Sequence, residues 1–71
     1  MSRTVKTEDG MTVRPGTRVF NYYDRQAGVI QDDIDSEGWF TLTHDDGTSK
    51  LLDGSRICSI QFAMAKRWIA H

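Results

Sequence analysis

The residues most able to do chemistry in this chain are His44, Asp45 and Asp46, which stand side by side in the stretch WFTLTHDDGTSKLL. An imidazole beside carboxylates can hold a metal ion or transfer a proton near neutral pH. Neighbouring residues of an extended strand point to opposite faces, however, so these groups do not converge easily, and the second histidine is the distant His71. Asp46-Gly47 is also a frequent hairpin dipeptide. We therefore predict a hairpin turn capped by Asp45 or Asp46, and neither a metal site nor a catalytic site.

A second acidic pattern, DIDSEG, runs from Asp33 to Gly38. It matches the first half of a calcium-binding EF-hand loop, with carboxylates at alternate positions and glycine in sixth place. The twelfth position of that pattern requires a bidentate glutamate, and in this chain it is His44. The segment is more typical of a solvated acidic loop. No metal and no other cofactor is predicted.

Other catalytic patterns do not occur in the sequence. It contains no glycine-rich phosphate loop, no paired-cysteine motif and no serine nucleophile elbow. The one cysteine, Cys58, lies in the apolar run RICSI, which predicts a buried side chain rather than a nucleophile. We therefore predict that the chain is not an enzyme.

The size and the cysteine content indicate a small domain in a reducing compartment. A chain of 71 residues forms one domain with a small core. A single cysteine cannot form an internal disulfide. No apolar run reaches the roughly 18 residues of a membrane span, and the first residues lack the apolar segment of a signal peptide. These features predict a cytoplasmic location.

The spacing of the glycines along the sequence is typical of turns between short strands. Six glycines stand 6 to 12 residues apart, and three of them follow aspartate, a dipeptide that suits tight turns. The segments between them are rich in β-branched and aromatic residues: TRVFNYY, GVIQ, WFTLTH, SKLL and RICSI. In WFTLTH, Phe40 and Leu42 alternate with Trp39, Thr41 and Thr43, which predicts one buried face and one outward face. The expected fold class is all-β and mostly antiparallel.

Both ends of the chain leave an alternative open. Residues 1–12 form either a loose tail or an extra hairpin at Asp9-Gly10. Residues 61–71 predict an amphipathic helix packed on the β domain, because their apolar residues recur at helical spacing. A closing strand over residues 57–64 is the alternative, since the apolar residues there also alternate.

The order of these features resembles a small SH3-like barrel of the Tudor or KOW kind over residues 13–60. The resemblance lies in PGTRVFNYYDRQAGVI, where a glycine-led strand is followed by a loop and a second strand, and in WFTLTHDDGTSKLL, where a strand turns at Asp-Asp-Gly and returns. It implies an antiparallel barrel of about five strands with a short C-terminal helix.

The same resemblance implies a class of partner. Tudor-like modules usually bind peptides, often through an aromatic cage on the loops between the first two strands and between the third and fourth. In this chain the first of those loops offers Tyr22 and Tyr23, whereas the second offers His44, Asp45 and Asp46 in place of an aromatic. KOW-type relatives bind RNA or ribosomal and transcription partners.

Charge is distributed unevenly along the chain. Residues 1–25 carry five bases and three acids, residues 26–49 carry six acids and no base, and residues 50–71 carry four bases and one acid. A strong nonspecific DNA binder would instead carry clustered bases. We therefore predict a small interaction module that binds a protein or peptide, of a size that would suit a bacterial, plasmid or phage accessory protein. The predicted partner-binding residues are surface aromatics and acidic-loop residues: Tyr22, Tyr23, Trp39, Asp32, Asp33, Asp35 and Glu37.

The alternative prediction is association with nucleic acid. Arginines bracket the first long strand, and two further bases lie near the C-terminus, where they could contact phosphates. The residues of this alternative site are Arg14, Arg18, Arg25, Lys66 and Arg67. Neither prediction includes a membrane partner, and the oligomeric state is left open.

Overall fold

The part of the chain that the structure describes folds into seven short strands, one 3₁₀ turn and one short helix. The structure is a computed structural model and describes residues 3–31 and 33–69. In chain order the elements are β1 Val5–Lys6, β2 Thr12–Val13, β3 Arg18–Asn21, β4 Gln26–Gln31, β5 Phe40–His44, β6 Ser49–Leu52, the 3₁₀ turn Gly54–Arg56, β7 Ile57–Ser59 and α1 Ile60–Ala65. The predicted all-β fold with a short C-terminal helix is confirmed.

The strands form two antiparallel sheets. β1 and β2 pair as a two-stranded hairpin, and the other five strands form a sheet in the order β6-β5-β4-β3-β7. β6 and β7 are the edges of this sheet, and no strand pairing joins them within the described residues. The five-stranded sheet is therefore open, and its closure into an SH3-like barrel is not confirmed.

The predicted alternation in β5 is confirmed. Phe40 and Leu42 are buried, whereas Thr41 and Thr43 are half-buried and Trp39, which directly precedes the strand, is exposed. Side chains of successive strand residues point to opposite faces, so the buried pair marks the face that packs on the core. Trp39 and the two threonines belong to the opposite face.

Each face of the five-stranded sheet packs on a different cover. The first face, here called the hairpin face, carries the larger core, which Val13 of the β1–β2 hairpin and Ile34 of the β4–β5 loop complete. The members of this core are Val13, Val19, Ile30, Ile34, Phe40, Leu42, Leu52 and Ile57. The second face, here called the helix face, carries Phe20, Ala27 and Cys58 against Ala63 of α1. α1 contacts β3 and β7, and on the same face Leu51 of β6 is exposed.

The helix begins and ends with identifiable backbone hydrogen bonds. Ser59 caps its first turn, because its hydroxyl accepts from the Phe62 N–H at 3.1 Å, and serine is a preferred residue at this position. α1 ends at Ala65, and Trp68 folds back so that its N–H donates to the Ala63 carbonyl at 2.9 Å. The segment after β7 is therefore helical rather than a closing strand.

The N-terminal segment forms the extra hairpin rather than a loose tail. Val5 pairs with Val13 in the register of β1 and β2. The turn of this hairpin docks on β7: the Glu8 N–H donates to the Ile57 carbonyl at 2.9 Å, and Asp9 accepts from the Ser59 N–H at 3.0 Å and from its hydroxyl at 2.6 Å. Thr7 also donates its hydroxyl to Asp9. One carboxylate thus joins the hairpin to the residue that caps α1.

Replacing Asp9 by asparagine is expected to lower the free energy of unfolding by about 1–2 kcal/mol at neutral pH, because bonds to a charged acceptor are stronger than neutral ones. Partial burial raises the pKa of this carboxyl, but the hydrogen bonds from Ser59 and Thr7 outweigh burial, and the pKa is lowered. A lowered pKa means that the carboxylate contributes stability at pH values above the pKa of the unfolded chain. That contribution is lost as the pH falls through the lower, folded value.

Urea unfolding at a series of pH values measures this effect. The wild-type protein should lose stability more steeply than Asp9→Asn below about pH 4, so the two curves converge in acid. Asp33→Asn, which changes an exposed acid, is the matched control and should follow the wild-type curve. Parallel curves for wild type and Asp9→Asn would contradict the assigned role of Asp9.

Candidate partner-binding surface

The His44 side chain is a buried part of a hydrogen-bond network. Its ring lies with Nε2 3.1 Å from Asn21 Nδ2 and Nδ1 3.0 Å from Thr48 Oγ1. The Thr48 hydroxyl donates to Asp46 at 2.7 Å, so its oxygen is left to accept from the ring. This assigns the proton to Nδ1 and makes Nε2 the acceptor of the Asn21 amide. Both ring nitrogens are therefore occupied, and neither is available to a metal ion or a substrate.

The two aspartates after His44 point in different directions. Asp46 caps the β5–β6 turn, as predicted, because it accepts from the Thr48 N–H at 3.0 Å. Gly47 lies at a φ of 91°, the positive value that completes a three-residue hairpin loop. Asp45 instead binds Arg18 with two bonds of 2.7 and 2.6 Å, which lower the pKa of the Asp45 carboxyl. The cluster that seemed able to do chemistry is thus divided among a core, a turn and a surface ion pair.

The two tyrosines lie in the turn between β3 and β4 and are engaged within the molecule. Tyr22 is half-buried, and its hydroxyl donates to the Ser55 carbonyl at 2.5 Å. Its ring stacks on Trp68 at a centroid distance of 5.9 Å and lies tilted against the Tyr23 ring at 4.9 Å. Tyr23 is 60% exposed, and the guanidinium of Arg56 lies 4.6 Å from the centre of its ring. An internal cation thus already occupies one face of Tyr23.

Trp39 is held differently, by the acidic loop that leads into β5. The Asp35 carboxylate accepts from the backbone N–H groups of Glu37 and Trp39, both at 2.9 Å, and the Asp35 N–H donates to the Trp39 carbonyl at 2.9 Å. These bonds fix the backbone of Trp39, whose side chain is 38% exposed. No aromatic ring stacks on it within the described residues.

The acidic loop carries three carboxylates that form no ion pair with a base of the described residues. Asp33, Asp35 and Glu37 are exposed, and none of them forms an ion pair in residues 3–31 and 33–69. Arg3 reaches this loop, but its guanidinium donates to the carbonyl of Ile34 at 3.3 Å. Asp32, the fourth acid of the predicted site, lies outside the described residues, as does His71.

The structure separates the predicted site residues into two groups. The turn that carries Tyr22 and Tyr23 precedes β4, whereas the loop that carries Asp33, Asp35 and Trp39 follows it. A six-residue strand spans about 17 Å, so the two groups lie at opposite ends of β4. The two groups also differ in their contacts, since Tyr22 packs on Trp68 and Trp39 is bound to the acidic loop. A binding role for each group stays a prediction.

Leu51 is a surface residue that the sequence analysis did not select. It is 65% exposed in β6 and pairs with Thr41 across the ladder to β5. Trp39 stands two residues before Thr41 on the same face, which makes it a diagonal neighbour of Leu51. The run SKLL reads as an apolar strand, but Leu51 and Leu52 point to opposite faces of it. Leu52 packs in the core of the hairpin face, whereas Leu51 lies on the helix face, where α1 covers β3 and β7.

The bases of the alternative nucleic-acid site do not form one patch. Arg18 is paired with Asp45. Arg14 precedes β3 and Arg25 follows it in the β3–β4 turn, so they lie at opposite ends of that strand. The remaining two residues, Lys66 and Arg67, follow α1, where the Lys66 ammonium lies 5.4 Å from the centre of the Phe62 ring.

Neither Cys58 nor the surface groove beside the β1–β2 hairpin offers a reactive group. Cys58 is buried as predicted, and burial raises the pKa of its thiol to about 11, so the thiolate needed for nucleophilic attack is scarce near neutral pH. A surface groove of about 390 Å³ lies between the β1–β2 hairpin, β3 and the start of α1. Its lining mixes Met11 and Val13 with Arg18, whose guanidinium is bound to Asp45.

Comparisons with known proteins identify no relative. No protein family, no curated protein and no solved structure matches the chain. Within the described residues, no helix is long and apolar enough to span a membrane.

Proposed function

We propose that this protein is a small, non-enzymatic interaction module that binds a basic segment of a partner protein through Trp39 and the acidic loop of Asp33, Asp35 and Glu37. The observation that carries the proposal is the exposed indole, whose backbone is fixed by the acidic loop beside it. Tryptophan is enriched at the energetic centres of protein interfaces. Unpaired carboxylates around it favour a partner that supplies lysine or arginine.

The preorganised backbone of Trp39 supports this assignment. Asp35 holds both ends of a five-residue turn, so the indole is presented without the entropic cost of ordering a mobile loop upon binding. Tyr23 offers a larger exposed fraction, but the Arg56 guanidinium already occupies one face of its ring. Trp39 is thus the exposed aromatic that remains open to an external cation.

Selection from a random peptide library with the purified protein tests the proposal. We expect the enriched peptides to contain lysine or arginine and at least one apolar residue, and their binding to weaken as salt rises. A parallel titration with single- and double-stranded oligonucleotides at two salt concentrations tests the alternative. Tight, steeply salt-dependent binding of oligonucleotides with no peptide enrichment would overturn the proposed function.

Replacing Trp39 by alanine is expected to weaken binding of a selected peptide by about tenfold or more, the loss typical of a central aromatic anchor. Tyr23→Ala is the matched control, since it removes an exposed aromatic ring at the other end of β4. Isothermal titration calorimetry measures both affinities, and circular dichroism checks that both variants fold. A loss with Tyr23→Ala and none with Trp39→Ala would place the site at the tyrosine turn instead.

Replacing Glu37 by glutamine is expected to weaken binding of the same peptide by about two- to fivefold, because one unscreened attraction to a basic residue is lost. Glu8→Gln removes one exposed charge on the β1–β2 hairpin and is the matched control. The effect of Glu37→Gln should disappear in high salt, where screening removes the attraction in the wild type too. Equal effects of the two substitutions would show that only net charge matters.

A further inference from the structure

The two edge strands of the five-stranded sheet differ in whether their outward backbone groups are hydrogen-bonded. The outward groups of edge strand β7 are occupied by the β1–β2 hairpin: the Ile57 carbonyl accepts from Glu8, and the Ser59 N–H donates to Asp9. No described strand pairs with the outer side of β6, the other edge strand. An uncovered edge is a template for pairing with another extended chain.

The register of the β5–β6 hairpin shows which groups are free. The His44 N–H donates to the Thr48 carbonyl at 2.7 Å, so this pair is hydrogen-bonded. In an antiparallel ladder such pairs alternate with pairs whose N–H and C=O groups point away from the partner strand. Ser49 and Leu51 fall on the alternate positions, opposite Thr43 and Thr41. Their backbone groups therefore point outward, and they have no backbone partner within the described residues.

The side chains of β6 do not block pairing of this edge with another strand. Lysines on edge strands commonly prevent pairing with other chains. Lys50 is directed elsewhere, since its ammonium binds Asp24 in the β3–β4 turn at 2.7 Å. Leu51, by contrast, presents an apolar side chain on the helix face next to the free backbone groups.

We propose that an extended basic segment of the partner adds to β6 as a sixth strand, hydrogen-bonding to the outward groups of Ser49 and Leu51. This inference rests on the proposed function and specifies its binding mode. Strands in a sheet are about 4.8 Å apart, so an apolar side chain of the added strand would pack on Leu51. The end of β6 at Leu52 pairs with Phe40, directly after Trp39 and the acidic loop, so a lysine or arginine near that end can reach the unpaired carboxylates. This charge complementarity favours a basic peptide over a second copy of the chain, whose own β6 brings the same acidic loop.

Proline at Ser49 tests the role of the backbone. The Ser49 N–H makes no bond to β5, so Ser49→Pro leaves the ladder intact but removes one outward donor and blocks an added strand. Ser49→Ala is the matched control, because it loses the same hydroxyl contact with Thr43 and keeps the N–H. Leu51→Lys is a second variant that places a charge on the edge without changing the backbone.

The probe is a capped peptide of about eight residues that alternates lysine and valine, with its glutamate–valine counterpart as the charge control. We expect the lysine peptide to bind and to slow hydrogen exchange at the amides of Ser49 and Leu51. Its affinity should fall about tenfold or more for Ser49→Pro and for Leu51→Lys, and should not change for Ser49→Ala. Binding of the lysine peptide without this protection and without sensitivity to Ser49→Pro would overturn strand addition, while its dependence on Trp39 would preserve the proposed function.

Two other outcomes also overturn the inference. If the lysine peptide does not bind at about 1 mM, strand addition is wrong, and the proposed function is decided by the library selection alone. If the Ser49 and Leu51 amides are already protected in the free protein, and protection grows with protein concentration, a second copy of the chain occupies the edge instead of a peptide.

Discussion

Replacing Gly28 by alanine is expected to lower the melting temperature by about 15 °C and the free energy of unfolding by about 3 kcal/mol. Gly28 lies inside β4 and pairs with His44 of β5. A Cβ atom at this position would overlap the Thr43 carbonyl oxygen and lie 2.9 Å from the His44 Cα. Both are backbone atoms of the neighbouring strand, so the overlap is relieved only by separating β4 from β5, and not by a side-chain rotation.

A loss of this size is a large fraction of the total free energy of unfolding. A 71-residue domain is stabilised by about 4–10 kcal/mol in total. Gly47→Ala is the control, because its added Cβ meets no atom within 4 Å and its only cost is the positive φ, about 1–2 kcal/mol. Thermal unfolding followed by circular dichroism compares the two variants. If Gly28→Ala melts at the wild-type temperature, β4 and β5 do not approach each other as described.

Replacing Asn21 by alanine is expected to lower the free energy of unfolding by about 3 kcal/mol, because one fully buried side chain forms hydrogen bonds with four other polar groups. Its Oδ1 accepts from the N–H groups of Tyr23 at 3.1 Å and Asp24 at 3.3 Å, and its amide donates to His44 Nε2 and to the Asp24 carboxylate. Alanine removes all four bonds, and the His44 ring nitrogen is then left without a partner in a buried position.

Thr48→Val provides the comparison for Asn21→Ala. It removes the partner of His44 at the other ring nitrogen, but Thr48 is exposed and water can replace its hydroxyl, so a cost of about 1 kcal/mol is expected. Chemical denaturation of the three proteins measures the difference. If Thr48→Val lowered the free energy of unfolding more than Asn21→Ala, the His44 ring would be held mainly by the β5–β6 turn and not by the buried Asn21.

Local patterns were sufficient to predict the class of fold and several of its details. Alternation in WFTLTH identified the buried faces of Phe40 and Leu42, and Asp46-Gly47 identified the β5–β6 turn. These features depend on residues close in sequence. Periodicity could not decide between helix and strand after β7, and the structure places a Ser59 cap there, which ends the strand and begins α1.

The features that could not be predicted depend on pairings distant in sequence. The exposure of Leu51 follows from the position of β6 at the opposite edge of the sheet from β7, because α1 covers the helix face at β3 and β7. Asn21 sits at the end of a strand before a turn, a common place for asparagine, and nothing nearby indicates that it supports His44. Barrel closure likewise required a pairing of the two edge strands that the described residues do not make.

The bond between Asp9 and Ser59 also has a consequence for synthesis of the chain. The two residues are 50 positions apart, so the β1–β2 hairpin leaves the ribosome long before the strand and helix on which it docks. Until then Val13 of the hairpin cannot pack into the complete core of the hairpin face, which includes Ile57 of β7. Contacts between such distant segments also slow folding. We expect a nascent chain that ends before residue 57 to remain sensitive to protease, and protection to arise only once β7 and α1 have emerged.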